Sequence, residues 1–113
     1  MKIINETKGT VLAENVIVAN TFFGRIIGLL NRSEILPGEA LLIRPCNSVH
    51  TFFMKFPIDV VFVSKDHRIL ITIPNMKPFR FSQVVLESRF VLELPAGTLE
   101  AAKTYHSDII QIS

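Results

Sequence analysis

Residues 45–63 read Pro-Cys-Asn-Ser-Val-His-Thr-Phe-Phe-Met-Lys-Phe-Pro-Ile-Asp-Val-Val-Phe-Val, and we expect the rest of the chain to be arranged around this segment. It contains two apolar runs of β-prone residues on either side of Lys55-Phe56-Pro57, which has the composition of a turn. The pattern predicts two strands, at about 49–54 and 58–63, that pair as a hairpin.

The same segment carries most of the chain's chemically distinctive side chains. Cys46 is the only cysteine, His50 is one of three histidines, and Asp59 directly precedes Val-Val-Phe-Val. A carboxylate in so apolar a setting is unfavourable unless it is paired or hydrogen-bonded, so we expect Asp59 to have a partner. A two-residue turn at Lys55-Phe56 places Asp59 and His50 on one face as diagonal neighbours, whereas a shift of one residue separates them. We predict the first register, because each polar group then relieves the other.

The length and composition describe a single domain, residues 1–113, with one core. Hydrophobic residues make up 49% of the chain and charged residues 19%, a balance that excludes disorder. The net charge is only +2 and there is no run of basic residues, so no nucleic-acid partner is predicted. The apolar runs are shorter than the ~20 residues of a membrane span, and the N-terminus lacks a signal-peptide core. With one cysteine, these features predict a soluble cytoplasmic protein without membrane association.

Short runs with period-two alternation predict further strands. They lie at about 2–5, 11–19, 40–44, 69–73, 84–86, 90–94 and 108–112. Pro74 is expected to end the strand before it, and residues 98–105 are expected to form one or two helical turns. So many strands joined by short turns predict a mainly β fold, either a single-domain β-sandwich or a partly open barrel.

One short helix is predicted at about 21–31, packed on the sheets. Thr21 is a good N-cap residue, and apolar side chains wrap most of the run that follows it. Gly24 and Gly28 lie four residues apart on one face, where they allow close approach of another backbone. The run is too short for a membrane dimer, so we predict that Gly28 packs against a sheet.

The run Ser48–Val63 resembles the signature of the DUF192 (UPF0127) family, a widespread prokaryotic family of uncharacterised small proteins. Further resemblance to the family follows in the same order at 21–32, 36–43, 77–80 and 92–97. Two features depart from the family's pattern: Ser107 precedes Asp108 where Gly is frequent, and Phe53 and Phe79 stand where Trp is frequent. The resemblance implies a β-rich single domain and no established reaction.

Polar side chains that recur beside apolar segments make up the candidate site. We predict that they line one cleft for a small-molecule or peptide ligand, formed by His50, Met54, Asp59, Arg80 and Glu93. Taken singly, Glu93 and an arginine such as Arg80, Arg25 or Arg32 are explained slightly better by an ion pair across the sheet edge. Their recurrence at segment ends favours a shared cleft. Residues 76–81 are predicted to form a loop that exposes Phe79 and Arg80.

Two other classes of function stay open. A hydrolase- or transferase-type enzyme could use His50 as a base held by Asp59, with Cys46 as a candidate nucleophile. A protein-interaction module would use exposed Phe residues. The sequence has no HxH, CxxC or HExxH spacing, so no metal is predicted, and it specifies no cofactor and no oligomeric state. Phe79-Arg80-Phe81 could stack on single-stranded nucleic acid, but no basic groove accompanies it.

Overall fold

The computed structural model describes residues 1–19, 35–52 and 54–113. Within these ranges the chain forms β1 Ile3–Asn5, β2 Thr10–Ala13, β3 Asn15–Ala19, β4 Glu39–Ile43, β5 Ile58–Val63, β6 Ile69–Met76, β7 Phe90–Pro95, α1 Thr98–Ala101 and β8 Ile110–Ile112. The predicted mainly β fold is confirmed. The predicted helix at 21–31, with Gly24 and Gly28, lies outside the described residues, and so does Phe53.

Two open sheets form the architecture. One has the strand order β2-β1-β8, and the other has the order β3-β4-β7-β5-β6. The pairing of β3 with β4 is parallel, while the other pairings are antiparallel. Apolar side chains from both sheets meet in one cluster, which includes Ile3 and Ile110 from the smaller sheet and Val61 and Leu92 from the larger one. The sheets therefore stack as a sandwich, and the side of the larger sheet that faces the smaller one is called the inner face below.

The strand β5 is the middle of the core. All six of its side chains are buried, and it pairs with β7 from Ile58↔Pro95 to Val63↔Phe90. A nearly continuous apolar run is typical of a strand that is covered on both faces. The predicted strand at 58–63 is therefore confirmed.

The predicted hairpin of 49–54 with 58–63 is wrong. Both edges of β5 are already occupied, by β6 on one side and β7 on the other. In the described part of 49–54, the β-type pairing is a single bridge between His50 and Phe81. The segment instead packs across the outer face of the larger sheet, where Val49 and Met54 join a second apolar cluster with Val60 and Phe62.

Pro74 does not end the preceding strand, so that prediction is also wrong. Ile58 pairs with Met76 and Val60 with Ile73, which leaves one extra residue on β6 and makes a β-bulge. The strand lies at the edge of its sheet, where the missing N–H of a proline is tolerated. Asn75 completes the bulge with a left-handed φ of 52°.

Two further strand predictions are corrected. The predicted strand at 11–19 is divided into β2 and β3, which belong to different sheets. The chain changes sheet at Glu14, whose N–H donates to the carbonyl of Gly38 at 2.8 Å. The predicted strand at 84–86 is instead part of a loop. The predicted helical turn after residue 97 is present as α1. In the described ranges, no helix combines the length and the apolar character that crossing a membrane requires.

Candidate functional site

The carboxylate of Asp59 is buried and accepts three backbone hydrogen bonds. Its Oδ1 accepts from the N–H of Asn75 at 2.8 Å, and its Oδ2 accepts from the N–H groups of Gly97 at 3.1 Å and Leu99 at 2.9 Å. The bulge of β6 presents the first donor, and the N-terminus of α1 presents the other two. Asp59, which is only 1% exposed, therefore caps α1 from a distant strand and fastens it to the sandwich.

The structure does not bring all the predicted site residues together. Side chains alternate along β5 and β7, so Asp59 lies on the inner face with Val61, and Glu93 lies on the outer face with Val91. The hairpin that was predicted to join Asp59 and His50 is absent, because β5 has other partners. Ligand binding by these side chains stays a prediction.

Two loop segments, 46–52 and 77–89, cover the outer face and are called the paired loop layer below. They run antiparallel to each other and are joined by backbone hydrogen bonds over their whole length. These bonds are Cys46 N–H to Arg89 O (3.2 Å), Val85 N–H to Asn47 O (2.8 Å), Ser82 N–H to Val49 O (2.9 Å), Thr51 N–H to Arg80 O (2.9 Å) and Phe79 N–H to Thr51 O (2.9 Å). The layer is therefore held in one backbone conformation although it contains no regular strand.

Thr51 fixes the end of this layer that carries Phe79. The residue is fully buried, and its hydroxyl donates to the carbonyl of Lys77 at 2.6 Å. The same oxygen accepts from the N–H of Arg80 at 3.0 Å. The Thr51 carbonyl also accepts from the N–H of Met54 at 3.2 Å. The side chain and backbone of Thr51 thus hold the backbones of Lys77, Arg80 and Met54 in place.

The loop 79–86 exposes large apolar side chains to solvent and is called the exposed apolar loop below. Phe79 is 68% exposed, Phe81 73%, Val84 60% and Leu86 85%. Phe79 also adopts a left-handed φ of 61°, which is unfavourable for a bulky residue. The predicted exposure of Phe79 and Arg80 is confirmed.

Aromatic contacts orient Phe81 in spite of its exposure. Its ring meets Phe52 edge-to-face at 4.4 Å between centroids and His50 at 6.4 Å. The rings of His50 and Phe52 lie 5.3 Å apart. Edge-to-face geometry is favoured by the aromatic quadrupole, so the three rings support one another.

The remaining predicted site residues differ in their exposure and in their bonding. Arg80 is exposed, and its guanidinium donates to the carbonyls of Pro78 and Phe79 at 3.4 and 3.3 Å. Met54 and Glu93 are buried on the outer face of the larger sheet. The thiol of Cys46 is half-buried and donates to the carbonyl of Ser48 at 3.2 Å. In the described residues, no three His, Cys, Asp or Glu side chains group closely enough to hold a metal ion.

A second polar cluster lies at one end of the smaller sheet. The carboxylate of Asp108 accepts from Asn5 Nδ2 at 2.9 Å, from Lys8 Nζ at 3.0 Å and from the Tyr105 N–H at 3.0 Å. Burial on its own raises the pKa of Asp108, but these hydrogen bonds and the charge of Lys8 outweigh it and hold the pKa below its ordinary value. Asn5 also donates to Thr104 Oγ1 at 2.9 Å. The cluster joins the β1–β2 turn to the segment before β8.

Two of the cavities that described residues line lie away from His50. A shallow groove of about 570 Å³ runs between β2 and α1, with Val11, Pro37 and Ala101 in its walls. A smaller cavity of about 360 Å³ lies beside Leu86, with the charged residues Lys65, Asp66, Glu87 and Arg89 around it.

The DUF192 family model, which is described as an uncharacterized ACR, matches residues 3–112. The chain belongs to the DUF192 family. A UPF0127 protein of Pyrococcus horikoshii is 31% identical over 115 residues, which cover 96% of this chain and 96% of that protein. A UPF0127 protein of Thermococcus sibiricus is 32% identical over 105 residues, or 87% of this chain, and the match spans 66% of that longer relative. The predicted membership is confirmed, and the family is one of uncharacterised proteins.

Two solved structures have a fold similar to that of this chain. A protein of unknown function from Novosphingobium aromaticivorans superimposes with a TM-score of 0.80 at 18% identity, over 98% of this chain and 82% of that one. A candidate transcription regulator from Sinorhizobium meliloti superimposes with a TM-score of 0.77 at 22% identity, over 97% of this chain and 89% of that one. At such identities the likeness concerns the fold alone.

Sequence reasoning missed part of the exposed apolar loop. Val84-Val85-Leu86 was assigned to a strand, and Thr51 was not singled out although it fixes the loop. The available signal was Phe79-Arg80-Phe81 directly after Pro78, where aromatic and charged residues alternate outside a regular element.

Proposed function

We propose that this DUF192 protein is a protein-interaction domain that binds an apolar segment of a partner protein on the exposed apolar loop. One observation carries the proposal: four large apolar side chains within residues 79–86 are each at least 60% exposed. Exposed apolar residues that occur singly need no explanation, whereas a group of them marks an interaction surface.

The rigidity of the loop supports the proposal further. Binding to a mobile loop loses part of its free energy to ordering that loop, and a preformed surface avoids this cost. Here Thr51 and the backbone bonds of the paired loop layer hold the loop in place. Aromatic residues, Phe among them, are enriched in protein interfaces relative to the rest of the surface.

The strain at Phe79 is a second argument. A left-handed φ in a non-glycine residue costs roughly 1–2 kcal/mol, and Phe79 leaves 68% of its surface in water as well. Both features are unfavourable for the free protein. They become useful if the ring is presented to a partner.

The proposal keeps the predicted peptide ligand and changes its location. The carboxylate of Asp59 is directed to the inner face and is occupied by three backbone donors, so we leave it out of the binding surface. His50 and Arg80 stay in it, because His50 contacts the ring of Phe81 and Arg80 lies between the two exposed Phe residues. Met54 and Glu93 are buried, so they are not part of this surface.

Panning of a phage-displayed random peptide library on the immobilised full chain tests the proposal. We expect selected peptides to bind the native chain and to lose most of their affinity for Phe81→Ser. Tyr105→Ser is the matched control, because Tyr105 is also an exposed aromatic (56%) but lies outside the loop. Peptides that bind all three proteins equally, or a failure to select any binding peptide, would contradict the proposal.

We also propose that the protein works in the cytoplasm. What supports this is the half-buried thiol of Cys46, which suits a reducing compartment. Cell fractionation followed by immunodetection of the native protein tests it, and recovery outside the cytoplasmic fraction would contradict it.

A further inference from the structure

We infer that the partner segment carries acidic side chains next to its apolar anchors, at the end that contacts Phe79. This inference rests on the proposed function and adds the charge and the orientation of the bound segment. It comes from the distribution of charge around the exposed apolar loop.

Three exposed cations belong to the segments that meet at the Phe79 end of the loop. Residues 45–58 and 69–86 contain no Asp or Glu, and their charged side chains are Lys55, Lys77 and Arg80. All three are exposed. Thr51 holds their backbones close to one another, because it bonds the backbones of Lys77 and Arg80 directly and that of Met54, the residue before Lys55.

The carboxylate nearest to these residues in the sequence does not neutralise them. This carboxylate is that of Asp59, four residues after Lys55. Its two oxygens are buried on the inner face and bonded to backbone N–H groups. In the part of the chain that the structure describes, Lys55, Lys77 and Arg80 form no ion pair with a carboxylate. They therefore present a positive potential beside exposed aromatic rings. An acidic residue of the partner gains attraction here, whereas a basic one is repelled.

The Leu86 end of the loop is electrically balanced. The cavity of about 360 Å³ beside Leu86 is lined by two cations, Lys65 and Arg89, and by two carboxylates, Asp66 and Glu87. This end therefore favours neither sign. The contrast between the two ends gives the bound segment a direction, with its acidic residues towards Phe79 and its neutral apolar residues towards Leu86.

A protein segment fits this surface better than single-stranded nucleic acid, which is also anionic and stacks on aromatic rings. Nucleic acid needs a positively charged groove that follows the backbone, whereas here the cations stop at one end of the loop. At the other end the two carboxylates balance the two cations, so phosphate gains no attraction there. Val84 and Leu86 are aliphatic and offer no ring on which a base can stack.

The test uses the peptides selected on the native chain, sequenced and resynthesised with a fluorescent label. We expect Asp and Glu to be enriched beside the apolar residues, and binding to weaken as salt is raised. Fluorescence polarisation should show about tenfold weaker binding to the double variant Lys55→Glu/Lys77→Glu, as expected for two surface ion pairs replaced by repulsion. For peptides in which Gln replaces the acidic residues, the affinity should differ much less between the native chain and this variant.

The matched control is Lys2→Glu/Lys103→Glu, which changes the net charge equally at two exposed positions outside the exposed apolar loop and outside the cavity beside Leu86. We expect it to bind the acidic peptides almost as the native chain does. Peptides that need Phe81 but show no acidic excess and bind both double variants alike would overturn this inference and leave the proposed function standing. Peptides that bind Phe81→Ser as tightly as the native chain would contradict both the proposed function and this inference.

Two other ligands of the exposed apolar loop, nucleic acid and a second copy of this chain, are tested by separate measurements. Labelled oligo-dT that binds the native chain more tightly than the acidic peptides, and loses binding in Phe81→Ser, would overturn the inference in favour of nucleic acid. Sedimentation of the native chain as a dimer that Phe81→Ser dissociates would overturn it in favour of a second copy of this chain. We expect neither result.

Discussion

Asp59 and Leu99 are joined by a hydrogen bond of 2.9 Å from the backbone N–H of Leu99 to the carboxylate of Asp59, across 40 positions of sequence. The bond links the central strand β5 to the first turn of α1. Because the same carboxylate also accepts from Gly97 and Asn75, one buried side chain fixes the helix and the bulge of β6 together. A negative charge at this place is favourable, since the N–H groups that surround it carry partial positive charge.

Asp59→Asn should destabilise the fold by about 2–4 kcal/mol, because an amide offers one acceptor oxygen and turns its NH2 group towards a backbone N–H. Urea denaturation followed by circular dichroism measures this as a lower midpoint. Asp66→Asn is the matched control at an exposed position and should leave the midpoint nearly unchanged. Equal midpoints for the native chain and Asp59→Asn would show that the three hydrogen bonds contribute little.

Gly97→Ala should destabilise by roughly 1–2 kcal/mol, because Gly97 has a left-handed φ of 96° that alanine adopts only with strain. A Cβ at this position meets no atom within 4 Å, so the loss comes from the backbone and not from a clash. Thermal denaturation measures the effect. Gly97→Asn should lose less than Gly97→Ala, since Asn tolerates this region better, and the reverse order would contradict the backbone explanation.

The stability should fall in acid partly through Asp108, whose pKa is lowered in the folded state from its ordinary value of 3.8. A lowered pKa contributes stability above the unfolded-state value, and this contribution is lost as the pH falls through the folded-state value. Asp108→Asn should therefore be less stable than the native chain at about pH 7, by about 1–3 kcal/mol, and should approach it near pH 2. Urea midpoints across this range test the prediction, with the exposed Glu6→Gln as control. A gap that stays constant with pH would contradict it.

Thr51→Val should loosen the exposed apolar loop without removing any of its apolar side chains. The substitution keeps the shape of the residue but removes the hydroxyl that bonds Lys77 and Arg80, at a cost of about 1–2 kcal/mol. Amide hydrogen exchange should quicken at Phe79 and Arg80, and the selected peptides should bind more weakly. Thr72→Val on β6 is the control, and equal exchange in both variants would argue against Thr51 as the fixing residue.

The central strand could be predicted from sequence, but its neighbours could not. Ile58–Val63 is a short apolar run bounded by turn residues, and this pattern correctly indicated a buried strand. Periodicity tells which face a side chain occupies and not which strand lies alongside. The nearest apolar run in the sequence, at 49–54, was therefore paired with it wrongly, while the actual neighbours are β6 and β7.

The need of Asp59 for a partner was also predictable, and the partner's identity was not. The donors are backbone N–H groups of Asn75, Gly97 and Leu99, which any residue except proline provides and which leave no pattern in the sequence. The exposed apolar loop was found only in part. Phe79 and Arg80 were expected at the surface, whereas Val84 to Leu86 resembled a strand, because an exposed apolar run and a buried one look alike in sequence.

The central claim is that a partner segment docks on the exposed apolar loop, and chemical-shift mapping tests it most directly. The full chain, labelled with ¹⁵N, is titrated with a peptide selected on it, and amide shifts are followed residue by residue. We predict that the largest shifts fall on Thr51, Phe52 and residues 79–86. Shifts concentrated instead on the groove between β2 and α1, with residues 79–86 unchanged, would contradict the account.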